Sequence, residues 1–211
     1  MRYERKFKID HLALHLVEQT IRLHPAAFRK IFPDRKVNNI YFDTPDLTTF
    51  KENVMGIADR KKFRIRWYGN PVQEISNPVF EIKIKKNQLG DKISKTFPAF
   101  NLSQLNFSDK VIKEFSESTE VIYPTLLNSY LRSYYGTSDG KFRLTIDRKM
   151  QYSSFVKKKK FLAKSIEDQG VIMELKYDEH WDGTTDFITQ YFPYRMTKSS
   201  KYVTGMEFVN Y

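Results

Sequence analysis

The chain contains no cysteine, and only 8 glycines and 8 prolines occur among its 211 residues. The lack of cysteine excludes a disulfide framework and any thiolate metal site. No apolar run is long enough to span a bilayer, and the charged residues 2–6 are followed by no apolar stretch. We therefore expect a cytoplasmic protein with no transmembrane segment of its own, and a membrane-protein partner is left open.

Common nucleotide-binding and hydrolase motifs are also missing. The sequence contains no P-loop, no Rossmann glycine fingerprint and no nucleophile elbow. Two of the 4 histidines, His11 and His15, stand one helical turn apart, but a pair without a third ligand is more often incidental.

What the chain has in excess is positive charge. Its formal net charge is +11 at pH 7. Such an excess is typical of proteins with a polyanionic partner, whether nucleic acid, a membrane surface or a phosphorylated small molecule, although a merely soluble basic surface would look the same. The apolar fraction of 40% and the length predict one folded domain over residues 1–211 with a sizeable core.

The periodicity predicts mostly strands with two helices. Asp10 is a candidate N-cap for a first helix carrying Leu16, Val17 and Ile21 and ending before Pro25. A second helix is predicted over about residues 103–118. Elsewhere the period is two, in short runs, and residues 126–134 fit a strand or, after Pro124, a helix.

The polar faces of the predicted strands are unusually basic. Side chains alternate along a strand, so residues 63–67 place Arg64 and Arg66 on one face and apolar residues on the other. The same division recurs in residues 80–85, 142–147 and 173–177. An ordinary antiparallel sheet with one face in water is the simpler reading of any single strand. The recurrence of arginine and lysine over at least five strands favours a functional surface, because the guanidinium fork suits phosphate.

A closed sheet would concentrate these charges. Crowded cations are tolerable if carboxylates interleave with them and an anion with its metal completes the balance. The apolar faces would then point outward, under the helices. We therefore predict an α+β fold, in which a closed antiparallel β-barrel or tunnel with a charged interior is flanked by a few helices.

Several motifs, in order, resemble the VTC domain, the polyphosphate polymerase domain of the triphosphate tunnel metalloenzyme superfamily. They are Arg2–Phe7, Ile40–Thr44, Arg64–Gly69, Phe80–Lys83, Tyr130–Arg132, Phe142–Asp147, Met173–Lys176 and Lys198–Lys201. The resemblance implies the triphosphate tunnel fold, a divalent Mn²⁺ or Mg²⁺ cofactor, and transfer of the ATP γ-phosphoryl group to a growing polyphosphate chain.

The resemblance also implies a set of site residues. The residues predicted to carry the catalysis are Arg64, Arg66, Lys83, Arg132, Arg143, Lys198 and Lys201. Further contacts to the phosphates are predicted for Lys6, Tyr130 and Ser200, and the shared strand faces add Lys85 and Lys176.

Two carboxylates are the predicted metal ligands. Glu174 matches the family's metal carboxylate, and Glu4 matches the last glutamate of the superfamily's Glu-x-Glu-x-Lys signature. Arg2 stands where that signature has its first glutamate, which fits the VTC branch better than a simple triphosphatase. Glu81 is a third candidate by parity, and Lys95 is a further candidate tunnel lysine.

The expected ligands are ATP, inorganic triphosphate or polyphosphate. Phosphoryl transfer needs positioning and charge neutralisation more than a protein nucleophile. A hydrolase of the same fold and a non-catalytic polyphosphate or nucleic-acid binder stay open as alternatives. Nucleic acid is disfavoured, because Phe63 and Trp67 fall opposite Arg64 and Arg66 rather than between them. The four lysines 157–160 are either a guide for a long anion or, more commonly, a solvated loop.

Overall fold

A computed structural model describes residues 2–10, 12–70, 74–87, 89–102, 109–116, 119–155 and 165–210. The strands are β1 (Arg2–Ile9), β2 (Arg29–Asp43), β3 (Asp59–Tyr68), β4 (Val79–Lys86), β5 (Leu89–Thr96), β6 (Tyr123–Gly136), β7 (Phe142–Ser154), β8 (Ile166–Asp168) and β9 (Val171–Asp178). The α-helices are α1 (Leu14–Arg22), α2 (Thr48–Met55), α3 (Asp109–Ser116), α4 (Asp182–Thr189) and α5 (Lys201–Asn210), and a 3₁₀ turn spans Glu179–Trp181. Among the described residues, no helix has the length and apolarity needed to cross a membrane.

The strands pair in the order β6-β2-β3-β4-β5-β1-β9-β7-β8, and β6 also pairs with β7, so that the strands form a ring. The pairs β1–β9, β2–β3, β3–β4, β4–β5 and β7–β9 are antiparallel. The predicted fold class, a mostly antiparallel closed sheet with a few helices, is confirmed.

The chain builds two compact units from alternating segments. The first unit comprises Met1–Arg35, Leu131–Met150 and Gln169–Ser199, and the second comprises Lys36–Tyr130, Gln151–Asp168 and Ser200–Tyr211. Each unit has its own core.

The core of the first unit lies between helix α1 and the apolar faces of β7 and β9. Leu144 pairs with Leu175 in register, and both side chains are fully buried. Val17 and Ile21 of α1 belong to the same cluster. The apolar face of these strands therefore packs beneath a helix, as the alternation predicts.

The core of the second unit is built in the same way. Ile65 and Phe80 pair between β3 and β4 and are buried. The ring of Phe115 in α3 lies 5.9 Å from that of Phe80, and Ile112 joins the same cluster. The prediction that the apolar face of β3 and β4 lies beneath a helix is confirmed.

Some predicted boundaries are wrong. Helix α1 begins at Leu14 with Ala13 at its N-cap, because β1 runs to Ile9 and the Asp10 carboxylate pairs with Lys8 instead, at 3.2 Å. Residues 126–134 are strand, within β6. The second predicted helix is described over Asp109–Ser116, and the rest of its predicted range lies outside the described residues. The described residues also do not include His11 or lysines 157–160.

His24 predicts a pH dependence of stability. Its Nδ1 accepts the Ala26 amide and its Nε2 donates to the Ile188 carbonyl, so the buried ring is neutral. Burial lowers the pKa of His24, and the bond to Ile188 offsets this only in part. The unfolded chain therefore binds the proton more readily, and stability falls as the pH drops below about 6.5.

We expect the thermal unfolding midpoint to decrease between about pH 7 and pH 5, and the decrease to be smaller in His24→Gln. Calorimetric scans across this range measure it. Equal pH dependence in the two proteins would show that His24 does not contribute.

Candidate functional site

A square of alternating charges lies on the polar face of β1 and β9 in the first unit. The register places Lys6 opposite Glu174 and Glu4 opposite Lys176. Lys6 Nζ lies 3.6 Å from Glu4 and 3.8 Å from Glu174, and Lys176 Nζ lies 3.5 Å and 3.2 Å from the same two carboxylates. Three of these separations exceed a normal hydrogen bond, although Lys6 Nζ also donates to the Ser199 carbonyl at 3.0 Å. Each ammonium group has three donors, so both can also bind an anion.

Arg132 joins this square from β6. Its Nε and Nη2 donate to the two carboxylate oxygens of Asp147 at 2.5 and 2.6 Å. Asp147 is fully buried, and Arg132 Nη2 also lies 3.6 Å from Glu174. A bidentate bond to a buried carboxylate fixes the orientation of the guanidinium.

Of these residues, Arg132 and Lys176 line a cavity of about 510 Å³ within the first unit. Its basic lining residues are Arg2, Arg132, Lys141, Arg143 and Lys176. Arg143 lies opposite Lys176 in register and is exposed. The cavity is therefore suited to an anion of several charges.

A second cluster lies within the second unit, around the buried carboxylate of Glu81. Arg64 faces Glu81 in register and donates to it at 2.6 Å, and Lys92 donates to its other oxygen at 2.7 Å. Burial alone would raise the pKa of Glu81, but the charges of Arg64, Arg66 and Lys92 outweigh it and hold that pKa well below its usual range. Glu81 is therefore an anion that fixes cations in place.

Arg66 is held by a different set of contacts. Its Nε donates to Asn39 and its Nη2 donates to the hydroxyl of Tyr130 at 3.2 Å. The ammonium of Lys201 lies 5.1 Å from the centre of the Tyr130 ring, a cation–π contact.

Three lysines face one another across β3, β4 and β5. Lys62 pairs with Lys83, and Lys83 pairs with Lys92. Like charges placed directly opposite destabilise a sheet, so this ladder is typical of a site for an anion. Lys62 also donates to the hydroxyl of Ser200 at 2.8 Å.

Sequence reasoning missed two of these lysines. Lys62 lies on the same strand face as Arg64 and Arg66, so starting the predicted strand one residue earlier would have included it. Lys92 lies in β5, a strand that the pattern analysis did not separate. Lys95 is opposite Phe80 in register, so it lies on the face of the sheet away from Glu81. The lysine of β5 that lies on the same face as Glu81 is Lys92, not Lys95.

The structure therefore divides the predicted site residues between the two clusters. Glu4, Lys6, Arg132, Arg143, Glu174 and Lys176 come together in the first unit, and Arg64, Arg66, Lys83, Tyr130, Ser200 and Lys201 belong to the second. Lys198 is exposed. Lys85 lines a separate cavity of about 370 Å³ within the second unit.

Comparison with known proteins identifies the family. The model of the VTC domain matches residues 1–210. The chain belongs to the VTC domain family.

Solved structures similar to this VTC domain share its fold at low sequence identity. A putative adenylate cyclase from Bacillus halodurans is 16% identical, with a TM-score of 0.56 over 95% of this chain and 94% of its own. One from Vibrio parahaemolyticus is 13% identical, with a TM-score of 0.54 over 96% and 97%. A putative adenylyl cyclase from Hippeastrum, described as having a dominant triphosphatase activity, is 13% identical, with a TM-score of 0.51 over 99% and 97%. No curated protein sequence matches the chain.

The fold family implies a divalent metal, and the described residues offer few ligands for one. Within the described ranges, no group of three or more acidic, cysteine or histidine side chains is placed to hold a metal ion. Glu4 and Glu174 do lie on one face, since both contact Lys6 and Lys176. Mg²⁺ commonly takes one or two carboxylates with substrate phosphates and water, so this pair fits a metal that arrives with a phosphate ligand.

Asp147 is expected to act through Arg132. Asp147→Asn removes the charge opposite a buried guanidinium and should lower the free energy of unfolding by about 1.5–3 kcal/mol. It should also weaken triphosphate binding, because Arg132 is no longer held in one orientation. Urea denaturation and calorimetry measure the two effects, with Asp10→Asn, an exposed carboxylate, as the control. Unchanged triphosphate affinity in a destabilised Asp147→Asn protein would restrict Asp147 to a structural role.

Proposed function

We propose that this VTC domain is a metal-dependent phosphotransferase that moves the γ-phosphoryl group of ATP to a growing polyphosphate chain. The observation that carries the proposal is the set of cations held in place by buried carboxylates, Arg132 by Asp147 and Arg64 by Glu81, in a chain of this family.

Phosphoryl transfer requires these residues to neutralise negative charge and to position the phosphates. A terminal oxygen of the polyphosphate acceptor forms a bond to the γ-phosphorus as the bond to the β–γ bridging oxygen breaks, and ADP leaves with that electron pair. Arg132 is oriented before substrate arrives, so it stabilises developing charge without reorganising. Lys6 and Lys176 lie 3.2–3.8 Å from carboxylates, and Lys6 also donates to the Ser199 carbonyl at 3.0 Å. Each ammonium group has three donors, so both lysines can also bind phosphate oxygens.

Glu174 and Glu4 would hold the metal, Mn²⁺ or Mg²⁺, together with phosphate oxygens. When bound, such an ion supplies charge neutralisation at the transferred group. We assign Lys198, Lys201, Ser200, Tyr130, Lys83, Lys85, Arg66 and Arg143 to contacts with the phosphate chain.

Hydrolysis is the second candidate, because the Hippeastrum neighbour is described as a triphosphatase. In that case water replaces the phosphate acceptor in the same set of cations. A phosphate acceptor is already ionised at neutral pH and needs no general base, whereas water must lose a proton, and this favours transfer for a site so rich in cations.

Incubation of the pure protein with ATP and Mn²⁺, followed by separation of ADP, phosphate and polyphosphate, tests the proposal. Transfer yields ADP and polyphosphate. ADP with phosphate alone would make the protein a hydrolase, and binding of ATP without any product would make it a binder.

We propose phosphate compounds rather than nucleic acid as the ligand, acting in the cytoplasm. Phe63 and Trp67 have exposed fractions of only 8% and 3%, because they lie in the core of the second unit. Buried rings cannot stack on bases, which is how single-stranded nucleic acid is usually bound.

Affinity should rise from orthophosphate to pyrophosphate to triphosphate. Each added phosphate meets further fixed cations, and the attraction should weaken with added salt. ATP and GTP should bind within about tenfold of each other, or roughly 1.4 kcal/mol, if the phosphates carry the recognition. Calorimetry with these compounds and a single-stranded oligonucleotide provides the measurement. Tighter binding of the oligonucleotide, without competition from triphosphate, would support the nucleic-acid alternative.

A further inference from the structure

A buried hydroxyl without a hydrogen bond faces the anion cavity of the first unit. Thr145, in β7, has an exposed fraction of 7% and lines the cavity of about 510 Å³. Within the part of the chain that the structure describes, its Oγ1 is buried and has no hydrogen-bond partner.

The fold alone does not explain this hydroxyl. Valine has the same shape and the same preference for a strand, and it would fill the position without burying a polar atom. An unsatisfied buried hydroxyl costs free energy in the unliganded protein. A residue that carries this cost beside a cavity is typical of a contact that forms only with a ligand.

The neighbours of Thr145 indicate the chemistry of that ligand. The register places Thr145 opposite Glu174, whose carboxylate lies 3.6 Å from Arg132 and 3.2 Å from Lys176. Arg143 stands two residues earlier on the same strand face and also lines the cavity. An anion drawn to these cations would lie against Thr145.

We propose that Thr145 is a substrate-binding residue whose hydroxyl donates a hydrogen bond to a phosphate oxygen of the bound triphosphate. The inference rests on the proposed function, since it assumes a phosphate ligand in this cavity. The side chain already lines the cavity, so rotation about one bond between staggered rotamers aims the hydroxyl at the ligand.

Thr145→Val separates a binding role from a structural one, because the substitution should weaken triphosphate binding without lowering the thermal unfolding midpoint. Removing an unsatisfied buried hydroxyl should leave the thermal unfolding midpoint of the unliganded protein unchanged or higher. Binding of inorganic triphosphate, measured by calorimetry in EDTA, should weaken about tenfold, or roughly 1.4 kcal/mol. Thr145→Ser keeps the donor and should bind within about threefold of the wild type.

Thr185→Val is the matched control in the same unit. Thr185 is fully buried, but its hydroxyl donates to the Trp181 carbonyl at 2.7 Å. Its loss should lower the unfolding midpoint and leave triphosphate affinity unchanged.

Each outcome is decisive. Wild-type affinity in Thr145→Val overturns the assignment of Thr145 while the proposed function stands. A lowered midpoint of the unliganded Thr145→Val protein also overturns it, since the hydroxyl would then have a partner in the folded chain. Failure of the wild type to bind triphosphate overturns the proposed function and the assignment together.

Discussion

Turnover of ATP is expected to fall about 100-fold or more in Glu174→Gln, a loss comparable to removing one group that stabilises the transition state. Glu174 is almost fully buried and lies within 3.8 Å of three cations, Lys6, Arg132 and Lys176. Glutamine keeps the shape of the side chain but removes the charged oxygen that a divalent ion prefers.

Triphosphate binding in EDTA should respond differently to Glu174→Gln. The three cations lose a competing anion, so affinity for triphosphate should stay the same or increase. Steady-state kinetics over a Mn²⁺ titration and metal-free calorimetry measure the two quantities. The control is Glu179→Gln, an exposed carboxylate in the 3₁₀ turn. Unchanged turnover at every Mn²⁺ concentration would remove Glu174 from the proposed metal site.

Glu81→Gln is expected to lower the free energy of unfolding by about 3–5 kcal/mol, because it leaves a buried charge without its partner. Arg64 has an exposed side-chain fraction of 8%, and Glu81 Oε2 lies 2.5 Å from its Nη2. A neutral amide cannot offset the desolvation of that guanidinium. Urea denaturation at neutral pH gives the change directly.

Two comparisons isolate the charge pair. Replacing both residues, Arg64→Met with Glu81→Leu, should recover part of the lost stability, since the buried guanidinium of Arg64 is then removed with its partner, while Arg66 still loses the carboxylate 3.8 Å from its Nη1. Glu114→Gln in α3 changes an exposed carboxylate and should have little effect. A Glu81→Gln protein as stable as the wild type would show that Arg64 finds solvent or another partner.

The Glu81 carboxylate should also make the stability of the folded protein depend on pH in the acid range. The pKa of Glu81 is held well below its usual range by Arg64, Arg66 and Lys92, against the effect of burial. Its contribution to stability is therefore complete above the unfolded pKa of about 4.3 and is lost as the pH falls through the folded value. The acid-induced loss of stability should accordingly be smaller in Glu81→Gln.

The alternation of apolar and polar residues predicted the strand faces well, whereas the local capping signals predicted the helix boundaries poorly. Alternation depends only on the geometry of a single strand, so the division between Arg64 and Ile65, or between Glu174 and Leu175, is already present in the sequence. Helix α1 begins four residues after Asp10 because β1 extends through Ile9, and the pairing of β1 with β9 overrides the local capping preference.

By itself, the sequence determined which side chains share a face, the excess of positive charge, the absence of thiol chemistry and, through its ordered motifs, the VTC domain family. Only the tertiary structure decided the partners of those side chains. Arg64 faces Glu81, Arg132 faces Asp147, and the hydroxyl of Thr145 has no hydrogen-bond partner among the described residues. These outcomes depend on the register between neighbouring strands of the sheet, which is fixed by the packing of the cores, and no single strand encodes that register.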